Sequence, residues 1–313
     1  MDKKTFLQSL QNIRRFPSKI DINFDEGQKI LHIRVDSLSV CKNMQEDASA
    51  FEGWIFCIYA NKQREIERVI LSWDIPHDTE DLHYKRFLYR VLKMQDHFLW
   101  FAPSEENMKD VIDFRDSVYS VGNLFLNYPQ NDSKTENIKE KTEAYFERAF
   151  LDPEKLFRDT SFDVCNNQLP VGVFRDRVAK KHGLFPYGKS AIDLWAIRAD
   201  ELWIFELKYN NKKVGIITEL LFYLWIMEDL CFNQKIKYDS PKEIPSIRDF
   251  DKFYYSTEQK NISTIYGVLL VDDLHPAITS ELIDFINQEN CNKQIIVKTQ
   301  KYISPIGEYA KKW

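Results

Sequence analysis

Cysteine is scarce in this chain, and what there is forms no pattern. The five cysteines (Cys41, Cys57, Cys165, Cys231 and Cys291) contain no C-x-x-C pair and have no histidine at ligand spacing. That speaks against a zinc site and for reduced thiols in a cytoplasmic setting. Long hydrophobic runs are missing too: Phe222–Leu230 is broken by Glu228 and Asp229, so no membrane span is expected. The opening MDKKTFLQSL lacks the apolar core of a secretory leader, and none is expected. Positive charge is not in surplus. With 43 Lys and Arg against 48 Asp and Glu the net charge is −5, so contact with nucleic acid would have to come from a local basic patch or a metal. Of the six histidines, His32, His77, His83 and His97 lie in the first third without ligand spacing and read as surface or cap residues. No internal repeat or low-complexity tract is visible.

What is present fits a soluble globular protein: 44% hydrophobic and 29% charged residues over 313 positions, enough chain for two domains. The most informative stretch is Ser190–Tyr223. Ala191–Arg198 and Leu202–Tyr209 are nearly continuous apolar runs, the pattern of strands buried on both faces, and Ala199-Asp200-Glu201 is short enough for a hairpin turn. Asp193 interrupts the first run; Glu206 and Lys208 interrupt the second and share a face with Leu202 and Ile204. Buried carboxylates cost several kcal/mol unless compensated, and a divalent cation compensates them. Mg²⁺ or Mn²⁺ could take Asp193, Glu206 and the Leu207 carbonyl, with Lys208 orienting a water or holding a phosphate oxygen. Metal-assisted phosphodiester hydrolysis is the chemistry that needs such a set.

Asp193 followed by Glu206-Leu207-Lys208 resembles the D…(D/E)-x-K signature of the PD-(D/E)XK nuclease superfamily. Glu219 and Tyr223, four apart on the next helix, resemble the (Q/E)-x-x-x-Y element of one of its branches. Ile192 stands where the family's proline would be. The resemblance covers roughly the last 175 residues, an ordinary domain length. It implies an α/β fold with a restriction-endonuclease-like core, in the order helix, three strands, helix, strand, helix, strand. It also implies a Mg²⁺- or Mn²⁺-dependent nuclease acting on nucleic acid, DNA ahead of RNA, of the kind used in restriction, repair and defence against phage. Glu219 would hold Lys208 or a metal-bound water, and Tyr223 a phosphate. A glutamate on the helix before the sheet, Glu147 or Glu143, would face the metal.

The remaining segments complete the expectation. A first domain, 1–128, is expected to be α+β with a mainly antiparallel sheet and to serve recognition, a protein partner or self-association. It comprises a helix over 3–16 stopped by Pro17, strands at Ile20–Phe24 and Leu31–Val35, a second hairpin from 54–60 and 65–73, a helix over 83–97, a strand at 99–102 and a helix through Phe114. Tyr128–Lys134 reads as a linker. The second domain, 136–313, is expected to begin with a helix over 136–151, with Asp152-Pro153 capping the next segment. Its first core strand is expected at Gln168–Phe174, an insertion at 235–261, strands at 264–271 and 294–299, and a helix at 276–287. Arg175, Arg177, Lys180, Lys181, His182, Lys189, Lys212 and Lys213 are the candidate phosphate contacts. The competing expectation is an inactive fold that binds nucleic acid or protein as a subunit of a larger complex.

Overall fold

The computed structural model of the chain describes residues 1, 3–13, 15–119, 123–131, 139, 142–151, 162–187, 190–239, 243–259 and 262–302. These form two compact units that are discontinuous in sequence. One contains 1–122, 213–219 and 275–293; the other contains 123–212, 220–274 and 294–313.

In the first unit, α1 (Lys3–Gln8) is shorter than its apolar spacing suggests: Ser9 N and Leu10 N close it on the Phe6 and Leu7 carbonyls at 3.0 and 3.2 Å, and Asn12 then turns left-handed at φ 61°. The alternating segments form the antiparallel pair β1 (Ile20–Asp25) and β2 (Ile30–Val35), with one face buried. A short α2 (Ser37–Val40) follows, and Asp36 caps it by accepting from Ser39 N at 2.7 Å. The expected second hairpin is absent. Its first half lies in a helix, α3 (Phe51–Asn61), and its second half gives β3 (Arg68–Trp73), which pairs parallel to β2. Every residue from Phe51 to Tyr59 is buried, Glu52 included, so α3 has no solvent-facing side for periodicity to reveal.

The helix expected at 83–97 is α4 (Leu82–His97), started by Asp81, which accepts from His83 N and Tyr84 N at 2.8 and 3.0 Å. Strand β4 (Phe101–Pro103) and α5 (Glu105–Tyr119) complete this run. The sheet order is β1-β2-β3-β4, and only β1–β2 is antiparallel, so the expectation of a mainly antiparallel sheet is corrected. Asn107 ties α5 to β3, donating to Trp73 O at 3.1 Å and accepting from Trp73 N at 3.0 Å.

The second unit holds two sheets. Strand β5 (Leu124–Leu126) lies inside the segment expected to close the first domain. Helix α6 (Glu143–Phe150) is the described part of the helix expected over 136–151; Asp152-Pro153 lies outside the described residues. The strand expected at 168–174 divides into β6 (Val164–Pro170) and β7 (Val173–Arg175), which join different sheets. The predicted hairpin is present as β8 (Ala191–Arg198) and β9 (Glu201–Lys208), turning through Ala199 at φ 51°. Helix α7 (Gly215–Cys231) begins in the first unit and continues into the second from Leu220. The expected insertion is structured: it contributes β10 (Ile236–Tyr238) and α8 (Phe250–Glu258), whose Phe253 packs edge-on against Trp195 of β8 at 5.1 Å. Strand β11 (Thr264–Val271) follows. The helix expected at 276–287 is α9 (Ser280–Glu289), which belongs to the first unit, and β12 (Ile295–Lys301) closes the described chain.

The main sheet runs β12-β11-β9-β8-β6. Strands β12, β11 and β9 are parallel; β8 and β6 are antiparallel to their neighbours. The chain is therefore α/β with mixed sheets. Alternation assigns the faces. Trp203, Phe205 and Leu207 pack with Phe146 and Phe150 of α6 and with Tyr302, so Glu206 and Lys208 belong to the other face. There Leu224 of α7 presses on Gly267: a Cβ at that position would lie 2.6 Å from Leu224 Cδ1, so any larger residue would force the leucine to shift. The smaller sheet has the order β10-β5-β7.

Candidate active site

Asp193 sits where the sheet opens. Pairing of β8 with β9 runs from Arg198↔Glu201 to Leu194↔Phe205 and stops one residue short of Asp193. Pairing of β8 with β6 steps from Asn167↔Leu194 to Leu169↔Ile192, passing over the level of Asp193. Leu207 N donates to Asp193 Oδ2 at 2.9 Å. This bond fixes the carboxylate beside the β9 segment that carries Glu206 and Lys208.

Three of the oxygens that the sequence nominates as metal ligands, from Asp193, Glu206 and Leu207, converge on one atom, Lys208 Nζ. That ammonium donates to Glu206 Oε1 in a short contact and to the Leu207 carbonyl at 3.1 Å, and it lies 4.0 Å from Asp193 Oδ2. Glu206 and Lys208 are 1% and 6% exposed, so their charges interact with little screening by water. The ammonium occupies the position a cation would take, and hard oxygen donors from two carboxylates and a carbonyl are what Mg²⁺ or Mn²⁺ accepts. Among the described residues, no group of three or more His, Cys, Asp or Glu side chains is gathered to hold a metal.

Of the two helix glutamates, Glu143 is exposed and accepts a 3.4 Å bond from Tyr209 N. Glu147 is buried, and burial pushes its carboxyl above the usual range, against Gln168 and Asn167, which stabilise the ionised form, and the Lys208 charge, which acts in the same sense. Gln168 Nε2 donates to Glu147 Oε2 at 2.9 Å. Gln168 was not a candidate in the sequence. No motif marks it, and its left-handed φ of 51° is a conformation that sequence does not display.

The other nominated residues are distributed more widely. Tyr223 is 3% exposed within α7. Glu219, also on α7, belongs to the first unit and accepts a short bond from Gln45 Nε2 there. Arg175 lies on β7 of the smaller sheet, and Arg177 Nε bonds His182 Nε2 at 3.1 Å. Lys212 pairs with Asp273 at 2.5 Å, and Lys189 lies outside the described residues. The fold thus brings Asp193, Glu206, Leu207 and Lys208 together, with Glu147 in electrostatic reach of Lys208, while Arg175 and Arg177 are attached to a different sheet. No known family model, curated protein or solved structure matches the chain.

Proposed function

We propose that the second unit is a metal-dependent nuclease with a restriction-endonuclease-like core, hydrolysing phosphodiester bonds in nucleic acid, DNA first. One observation carries the reading: oxygens of Asp193, Glu206 and Leu207 surround a single cationic atom, at 4.0 Å, in a short hydrogen bond and at 3.1 Å respectively. When bound there, Mg²⁺ or Mn²⁺ lowers the pKa of water and stabilises charge on phosphoryl oxygens. Asp193 and Glu206, with the Leu207 carbonyl, would hold it. Lys208, released from Glu206, has the charge and reach to orient the attacking water or bind a phosphate oxygen. Tyr223, in the same unit, takes a supporting role in this scheme.

A second reading has its own observation. A buried ammonium already neutralises Glu206, so the site can stand as a metal-free ion pair in an inactive fold that binds nucleic acid or protein. One experiment separates them. Purified wild-type and Lys208→Ala protein are incubated with plasmid DNA, single-stranded DNA and RNA, with and without Mg²⁺ or Mn²⁺, and melting is followed in parallel. The nuclease reading expects cleavage by the wild type only, and stabilisation of the wild type by about 2.7 kcal/mol when metal reaches a hundred times its Kd. A folded wild type that neither cleaves nor responds to metal leaves the binding scaffold.

A further inference from the structure

Three residues other than glycine adopt left-handed backbone conformations and are tied to one short stretch of β6: Gln168 at φ 51°, Arg248 at φ 54° and Asp249 at φ 52°. Each is a conformation that L-residues take at a cost, so contacts elsewhere must hold it. Those contacts are visible. Arg248 Nη1 donates to the Gln168 carbonyl at 2.9 Å, and Asn166 Nδ2 donates to Asp249 Oδ2 at 3.0 Å. The segment before α8 thereby clamps β6 where pairing to β8 is interrupted, at the level of Asp193.

Glycine would satisfy the backbone at 168 at lower cost. Glutamine adds an amide whose Nε2 reaches Glu147 Oε2 at 2.9 Å, and Glu147 is 8% exposed. The geometry points to Gln168 as a positioning residue for the nuclease site: held at a strained break in β6, it orients the Glu147 carboxylate from α6 toward the centre formed by Asp193, Glu206 and Lys208. The inference rests on the nuclease reading and adds to it a residue that acts through Glu147, without itself touching substrate.

The test is a double-mutant cycle on cleavage and melting with Gln168→Gly, Glu147→Gln and the pair. Gln168→Gly relieves the backbone while removing the whole side chain with its amide, so it should melt at or near the wild-type temperature. Its cleavage rate should nevertheless fall about ten-fold, the usual loss when a partner of a site ligand is removed. The loss should fall on kcat, with KM for a labelled duplex unchanged. In the Glu147→Gln background the same change should have no further effect. If Gln168→Gly melts well below wild type, Gln168→Met, which keeps length without a donor, is read for the same losses. Full activity of a stable Gln168 variant, or losses that add across the pair, would overturn the inference while leaving the nuclease reading intact. An inert wild type removes both.

Discussion

Each unit buries an ion pair, and the two pairs are built on opposite charge balances. In the first unit, Glu52 and Arg90 are 0% and 1% exposed. Arg90 Nη1 donates to Glu52 Oε2 and to the Ser49 carbonyl, both at 2.9 Å; Thr218 Oγ1 adds a 3.2 Å bond to the carboxylate, and Arg86 contributes a second positive charge. Arg90 also lies over the Phe51 ring at 5.1 Å. Here one carboxylate answers to two guanidinium groups. In the second unit two carboxylates, Asp193 and Glu206, answer to one ammonium, with Glu147 nearby. A guanidinium in a rigid fork closes a structural pair, whereas a lysine on a flexible stem can leave one. Burial alone does not mark a functional site; a surplus of carboxylate over fixed cation, at an opening in a sheet, is the more telling sign.

The sharpest way to break this comparison is Asp193→Asn. The Asn oxygen can still accept from Leu207 N, so the fold is expected to survive, while one negative charge leaves the cation site. Cleavage should drop by roughly a thousand-fold or more, about 4 kcal/mol of transition-state stabilisation. Single-turnover cleavage of a labelled duplex measures it, and near wild-type activity would return the site to the status of a structural ion pair.

Arg90→Met makes the complementary cut. Removing one partner of a buried pair strands the other charge, at a cost of about 3–5 kcal/mol. Urea unfolding should show that loss, and the metal-dependent rise in melting temperature should persist if the surplus charge in the second unit is what binds metal. A smaller effect separates the pairs by pH. Burial pushes Glu52 up to about 7 from an ordinary value of 4.5, so between these values the folded state holds a proton that the unfolded chain has released, and the pair with Arg90 is fully ionised only above them. Its contribution is fully present below pH 4.5 and is lost as pH rises through 7. Glu52→Gln should flatten stability across that window, and a slope identical to wild type would assign the titration elsewhere.

These differences explain what the sequence could display. The β8–β9 hairpin and β11 were legible because strands buried on both faces read as unbroken apolar runs, and Asp193, Glu206 and Lys208 stood out as charges within them. Helix α3 was misread because Phe51 to Tyr59 is buried all round, and aromatic and β-branched residues then suggest a strand. The parallel pairing of β2 with β3 is a matter of connection, which local pattern does not encode. Gln168 was invisible because φ 51° leaves no mark in the side-chain sequence. Glu52 was equally silent, since its cations lie on another helix.

The smallest expected effect concerns Lys212, nominated as a phosphate contact but held by Asp273 at 2.5 Å on an exposed edge. Lys212 first, then Lys301, hold the Asp273 carboxyl below its usual range, so the aspartate competes directly with any phosphate for both ammonium groups. A lysine already paired releases little counterion when it meets nucleic acid, so Lys212→Ala should make the dependence of log affinity on log salt shallower by less than about 1. Asp273→Asn should act in the opposite sense, freeing both lysines, tightening DNA binding and steepening that dependence. Fluorescence anisotropy at several salt concentrations reads both. If Asp273→Asn left the slope unchanged, this edge would lie outside the nucleic-acid footprint, and the phosphate contacts would have to come from the basic stretch that follows β7.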